Sequence, residues 1–278
     1  MCCTISIIES GYIMADGGAM FGAIPKRAWV RKYPSREDNL CRLAMRCLLV
    51  ESGDRKILVD LGMGDKYISE MSYYEPHNLV DVGEVLLSRG IRKEDITDIV
   101  LTHLHFDHCG YATLRNSKGH IVPTFSNATY WLSRKQWGSM LDVNPLEKDS
   151  IFRDDILPVY DAGQLLLVDE PIEIVSGFRL ELYDGHTLGQ LVPIIYSGEN
   201  RIYTFPGDLV PTAAHVSLEW LSAYDICPLT SYTEKQRFLN DAVQEDYILI
   251  YCHDSYIKSS KVKRLNDNYI AYKKDTVK

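Results

Sequence analysis

What this sequence lacks narrows its function before any motif is read. No apolar run approaches the ~18 residues that a membrane-spanning helix needs, so no membrane partner is expected. The first ten residues have no basic region, no long apolar core and no small-residue cleavage site, and no secretory leader is expected there. No Pro/Ser-rich linker and no internal repeat divides the chain, so residues 1–278 are read as a single domain. An excess of basic residues is also missing. Thirty Lys and Arg face 38 Asp and Glu, a net charge of -8, and the basic stretches at 26–36 and 258–274 read as solvated surface. A nucleic-acid partner is therefore not expected. The acidic balance does not exclude an anionic substrate, because bound cations can dominate a local field. The seven cysteines form no C-x-x-C pair. Cys2 and Cys3 are adjacent, and Cys41, Cys47, Cys109, Cys227 and Cys252 stand mostly in apolar surroundings, as buried thiols of a cytoplasmic protein would.

What is present is an α/β pattern. Residues 4–9 read as a strand and 11–38 as a long ordered loop. Residues 44–51 and 56–61 form a hairpin about Ser52-Gly53-Asp54. Gly62 and Gly64 open a second loop, running to Tyr74. Residues 80–89 have helical spacing with Gly90 as a stop, and the β-branched run 96–102 reads as a buried strand. Residues 129–132 are a short strand entering a helix at Ser133, and the mixed stretch 140–160 could cover a site. Further strands are expected at 165–168, 172–175, 178–183, 191–196 and 202–205. Thr233 with Gln236 resembles a capping box opening a helix with Phe238, Leu239, Ala242 and Val243 on one face. Residues 247–252 are a last buried strand. This order fits one α/β domain with two β layers and outer helices.

Four strand ends carry the chemistry. The first holds His103, His105, Asp107 and His108. In an extended segment His103 and His105 point the same way, so two imidazoles can grip one cation, while Asp107 and His108 turn toward a second. Imidazole and carboxylate ligands suit zinc, and also iron, manganese or cobalt. The second strand end holds Asp184-Gly185-His186-Thr187, where Gly185 is expected to let the backbone bend so that His186 reaches back. The third is Gly207-Asp208, whose carboxylate could bridge two cations. The fourth is His253-Asp254. Three His and an Asp within six residues is a dense cluster for a chain with 8 His in all.

This H-x-H-x-D-H segment, with the later Gly-His-Thr, Gly-Asp and C-terminal His in the same order, resembles the metallo-β-lactamase superfamily. The resemblance covers residues 44–253. It implies a four-layer αββα sandwich of two mixed β-sheets flanked by helices, and a dinuclear hydrolase. One metal would be held by His103, His105 and His186, the other by Asp107, His108 and His253, with Asp208 between them. Residues 16–22 and 207–215 are similar to N-acyl homoserine lactonases, YtnP-like enzymes included, and to methyl parathion hydrolase-like esterases. The implied activity is opening of a lactone or cleavage of a carboxylic ester, with acyl homoserine lactones, and so quorum quenching, among the candidates. Lactonases of this kind place a tyrosine three residues after the bridging Asp, where it polarises the lactone carbonyl; here that position is Pro211.

Two divalent cations, most simply zinc, about 3.5–4 Å apart would hold a hydroxide for attack on a carbonyl. Asp107 is the expected catalytic residue, orienting that nucleophile and carrying a proton to the leaving alkoxide. Asp254 and Asp184 are candidates to fix the histidine tautomers. Met20, Phe21, Phe106, Trp137, Trp220 and Tyr224 are candidate pocket walls, with core packing as the competing reading of each. His215, seven residues after Asp208, is a further pocket candidate. His77 and His120 read as surface residues, Gly17-Gly18 as a flexible turn, and Asp225 and Cys227-Pro228 as structural. The same metals would serve a phosphotriester or phosphodiester hydrolase, or a thioesterase of the glyoxalase II kind. An oxygen-reducing di-iron protein would carry Glu where His105 stands. The loops at 11–38 and 61–74 leave two readings open, a homodimer interface or a lid.

Overall fold

Strand alternation carries the architecture. In the computed structural model, which describes residues 3–198 and 201–274, the strand Leu40–Ser52 turns Leu48 and Val50 to one side and Cys47 and Leu49 to the other. Leu48 and Val50 join Ile57, Val59 and Val100, and meet Phe178, Leu180, Leu191, Ile195, Ile248 and Ile250 of a second sheet. Cys47 and Leu49 join Leu58 and Ile99 in packing on Val82, Leu86, Met140 and Val159 from the helices outside. The second sheet repeats the device. Ile248 and Ile250 face inward, while Leu249 and Tyr251 pack on Phe238, Leu239 and Ala242 of the helix Pro228–Gln244. Each such side chain removed from water contributes about 1.5–3 kcal/mol, so a one-residue register slip would be costly. The result is helices, sheet, sheet, helix: the expected sandwich.

Both sheets are mixed. The first runs Thr4–Asp16, Leu40–Ser52, Arg55–Val59, Asp98–Val100, Thr129–Ser133, Leu165–Val168, antiparallel for the first three strands and parallel thereafter. The second runs Asn268–Tyr272, Ser259–Leu265, Ile248–Ile250, Arg201–Thr204, Gln190–Ser197, Phe178–Tyr183, Ile172–Val175, with one parallel pair, Arg201–Thr204 beside Ile248–Ile250. A small third sheet pairs Thr113–Arg115 with Ile121–Pro123. At one edge the two large sheets are laced together: Ala44 N–H donates to His253 O, Arg46 N–H to Cys252 O, and Leu191 N–H to Thr102 O.

Several sequence expectations are corrected. The first strand continues to Asp16 past an irregularity between Glu9 and Gly11. Residues 11–38 are thus not one loop, since Gly17–Phe21 and Lys26–Trp29 are short helices. The expected turn at Gly17-Gly18 is the start of the first, capped by Asp16; a Cβ on Gly17 would overlap the Trp29 ring. The strand expected at 96–102 spans only Asp98–Val100, because the backbone after it turns to bond Asp60. The final helix starts at Pro228, and Thr233 lies inside it with its hydroxyl donating to Leu229 O rather than capping. Among the described residues no helix is long and apolar enough to cross a membrane, and no disulfide joins the described cysteines; Cys2 lies outside the described residues.

Candidate metal centre

The segment after Asp98–Val100 is pinned from both sides. Thr102 N–H and Oγ1 donate to the two oxygens of Asp60, each at 2.8 Å, and Leu104 N–H donates to Gln136 Oε1 at 2.9 Å. Leu104 is buried in the core under the outer helices, so the period-two alternation turns His103 and His105 the other way. Phe106–Cys109 then forms a single helical turn that presents Asp107 and His108. Gly185 serves a purpose different from the expected bend: a Cβ there would overlap the backbone of Ser231, so only glycine lets His186 pass against the helix Pro228–Gln244. Gly207 takes a left-handed φ of 52° just before Asp208.

Hydrogen bonds fix the tautomer of each clustered imidazole. His253 Nδ1 lies 2.8 Å from Ala44 O, an acceptor only, so Nδ1 carries the proton. His108 Nδ1 donates to Asp60 Oδ2 at 2.7 Å and His186 Nδ1 to Asp225 Oδ1 at 2.9 Å. Thr102 Oγ1 gives its proton to Asp60, so it accepts from His103 Nδ1 at 3.0 Å. His105 donates through Nε2 to Glu147 Oε1 at 3.2 Å. When the rings are neutral, as ligands must be, the five remaining ring nitrogens are lone pairs, and they face one another. His103 Nε2 is 3.0 Å and His186 Nε2 3.2 Å from His105 Nδ1, while His108 Nε2 is 3.1 Å from His253 Nε2. Lone pair against lone pair is repulsive, and protonating both members of a pair replaces it with charge repulsion. A cation within each group turns both into coordination.

Asp208 sits between the groups. Its Oδ1 is 3.3 Å from His108 Nε2 and 3.1 Å from His253 Nε2, and its Oδ2 is 3.3 Å from His186 Nε2. Asp107 Oδ2 lies 3.5 Å from His253 Nε2 and 3.9 Å from His108 Nε2. Two donor sets therefore stand side by side: His103, His105 and His186 in one, His108, Asp208 and His253 in the other with Cys252 beside them. Burial opposes the charge of Asp208, but His253, His108 and His186 outweigh it and hold its carboxyl well below the usual range. Burial, then the imidazoles of His108 and His105, keeps His103 neutral by pushing it well below its ordinary value. Around His108, burial is outweighed by Asp107, Asp208 and Asp60, which raise it to about 10. Carboxylates that favour positive charge on His108 so strongly also favour a metal cation beside it.

The pocket over this cluster is lined by Met20, Phe106 and Tyr224 from the expected set, together with Ile13, Leu43, Tyr74, Leu146, Glu147 and Pro211. Phe21, His215 and Trp220 are not among its walls. His215 is buried, bonded to Thr212 Oγ1 and Met20 O at 2.7 and 2.8 Å and stacked on Phe21; Trp220 meets the edge of Phe21. These three form packing behind the pocket, and Trp137 stacks on Tyr160 away from it. His77 is half-buried against Tyr12, and His120 is exposed. Neither expected tautomer-fixing acid touches a histidine. Asp184 bonds Lys135 and Gly189 N–H, and Asp254 accepts the N–H groups of Tyr256, Ile257 and Ala213. That task belongs to Asp60, Glu147 and Asp225, the last of which read as structural in the sequence. One signal was available for Asp60: it is an acid in the apolar run Ile57 to Leu61, and a buried carboxylate needs donors. Glu147 comes from a stretch without periodicity and offered none.

Residues 46–253 match the family profile described as the Metallo-beta-lactamase superfamily. An N-acyl homoserine lactonase of Bacillus cereus is 26% identical over 162 residues, 54% of this chain and 58% of that relative. The chain thus spans little more than half the length of that relative. A probable metal-dependent hydrolase from Staphylococcus aureus superposes with a TM-score of 0.86 at 26% identity, over 98% of this chain and 97% of its own. The dizinc quorum-quenching lactonase AidC, bound to a product, superposes with a TM-score of 0.81 at 19% identity over 99% and 96%. With about three quarters of its length and its histidine cluster inside that profile, the chain belongs to the metallo-beta-lactamase superfamily.

Proposed function

We propose that this chain, as one catalytic domain over residues 1–278, hydrolyses a neutral lactone or carboxylic ester with two divalent cations, zinc being the best fit to its imidazole and carboxylate donors. His103, His105 and His186 would hold one, Asp107, His108 and His253 the other, and Asp208 would bridge. Bound there, the pair would supply Lewis acidity toward a carbonyl oxygen and a nucleophilic water at neutral pH. The residues do the rest. Asp107 orients the water, takes its proton and passes it to the leaving alkoxide. Asp60, Asp225, Glu147 and Thr102 hold the imidazoles in their ligating tautomers. Tyr74 and Tyr224 bring phenol hydroxyls into a pocket where Pro211 offers no donor, and Tyr224 would polarise the substrate carbonyl.

The observation that carries the substrate class is the absence of Lys and Arg among the pocket's lining residues, whose apolar members include Ile13, Met20, Leu43 and Phe106. A phosphodiester, or a glutathione thioester with its carboxylates, would meet no cationic side chain there. A neutral ester, lactone or phosphotriester needs none. The names of the relatives favour the lactone, and acyl homoserine lactones head the panel that tests it: several chain lengths, δ-lactones, aryl esters, aryl phosphotriesters and a phosphodiester, each with metal-loaded protein. Turnover of lactones or esters at least about 100-fold above the phosphorus substrates is expected, about 2.7 kcal/mol of transition-state preference. A preference for the phosphotriester would make the second reading the correct one.

A further inference from the structure

The ribbon of strands beside the metal pocket has a second face. Ile13 pairs with Leu43 across it, and both line the pocket; Met14 pairs with Arg42, and both line a separate cleft on the opposite side. That cleft offers about 680 Å³, against about 60 Å³ over the histidines. Arg36, Leu40, Glu75, Pro76, His77 and Tyr256 also line it.

Arg42 is an unusual cation. Its guanidinium lies 5.0 Å from the ring centre of Tyr12 and 5.4 Å from that of Tyr256, held by two aromatic faces. Its Nε is buried without a hydrogen-bond partner, and among the described residues no carboxylate pairs with it. The neighbouring Arg36 is fully engaged by Asp38 and Glu75, at 2.5 and 2.6 Å. Its Nε has lost water without gaining an acceptor, while the half-buried side chain still lines the cleft, and a planar guanidinium fork matches a carboxylate or phosphate. Glu75, itself in the cleft wall, disfavours a doubly charged anion. Met14, Leu40 and Pro76 favour an apolar body behind the charge.

We propose that this cleft is a second ligand site, taking a small organic monocarboxylate with an apolar or aromatic body through Arg42. The test is calorimetric titration of metal-loaded protein with benzoate, benzamide and inorganic phosphate, in wild type, Arg42→Gln and Arg42→Lys, with a benzoate-soaked crystal to place the ligand. Because a carboxylate can also reach the metals, dependence on Arg42 and the crystal position identify the cleft. Benzoate should bind there, about tenfold more weakly to Arg42→Gln and in between for Arg42→Lys, and benzamide about tenfold more weakly than benzoate. Benzoate affinity unchanged in both variants, equal binding of benzamide, or phosphate binding as tightly would overturn the proposal. So would a dimer in solution that Arg42→Gln dissociates, which would make the cleft an interface between copies.

Discussion

Asp60→Asn probes the site at its least visible support. Asp60 receives three donors, Thr102 N–H, Thr102 Oγ1–H and His108 Nδ1–H, at 2.7–2.8 Å. Asparagine has the same shape but one acceptor oxygen, and its NH₂ must face at least one of those donors. Leaving a buried donor unpaired costs about 1–3 kcal/mol, and at roughly 2–4 °C per kcal/mol the Tm should fall by about 2–12 °C. The more specific consequence is at His108. To accept from the new NH₂ its Nδ1 must give up the proton, which moves to Nε2 and points at His253 and Asp208, where a cation should sit. Loss of such a supporting bond weakens metal binding about 10–100-fold. Competition with a chromophoric chelator resolves two stepwise metal affinities. One should weaken by that factor, while the other, assigned to His103, His105 and His186 and reached only through Thr102 Oγ1, weakens less. Two affinities unchanged within about twofold, or two lost equally, would refute the tautomer argument.

Four further outcomes follow from the same geometry. Glu147→Gln, which exchanges one acceptor oxygen of the carboxylate shared by His105, Thr187 and Asn144, should weaken instead the affinity of the other cation, about tenfold. Gly185→Ala should displace the helix or His186, lowering the Tm and kcat/KM together, because its Cβ overlaps the backbone of Ser231; an unperturbed variant would show that the approach is slack. Chelation should lower the Tm, since cations at about 1,000 times their Kd contribute about 4 kcal/mol to the folded state. Asp155 tests a pH linkage: burial raises it to about 7 despite the Lys66 ammonium 3.0 Å away. With the folded value above the unfolded ~3.9, the native state holds the extra proton between those values, so its contribution is complete below pH ~4 and is lost as pH rises to ~7. Compared with Asp155→Asn at matched metal, wild type should lose of the order of 2–4 kcal/mol across that window, read by urea unfolding; parallel pH profiles would contradict this.

The layers and the cluster of candidate ligands were legible in the sequence for one reason: each is a strand property. Alternating apolar residues such as Leu48 and Leu49, or Leu249 and Ile250, specify two buried faces, and the ligands follow the strand ends. Spacing alone brought His103 and His105 together because Leu104 needed the core. What failed was whatever depends on distant partners. The strand 4–16 looked like loop after Gly11 because its polar and glycine positions are tolerated by pairing with 40–51. Asp184 and Asp254 sit next to ligands in sequence, but their oxygens are claimed by nearby backbone, whereas Asp60, Glu147 and Asp225 reach the histidines from 39 to 48 residues away. His215 and Trp220 looked like pocket groups because aromatic residues near a site pack behind its walls as readily as in them.

The most direct test of the account is metal reconstitution. Protein stripped by chelator is titrated with zinc while zinc content and hydrolysis of the best neutral lactone or ester are followed, in wild type and Asp208→Ala. Activity should appear only as the second equivalent binds, and Asp208→Ala should retain little activity at any occupancy. Full turnover in stripped protein, or full turnover in Asp208→Ala, would contradict a dinuclear centre bridged by Asp208.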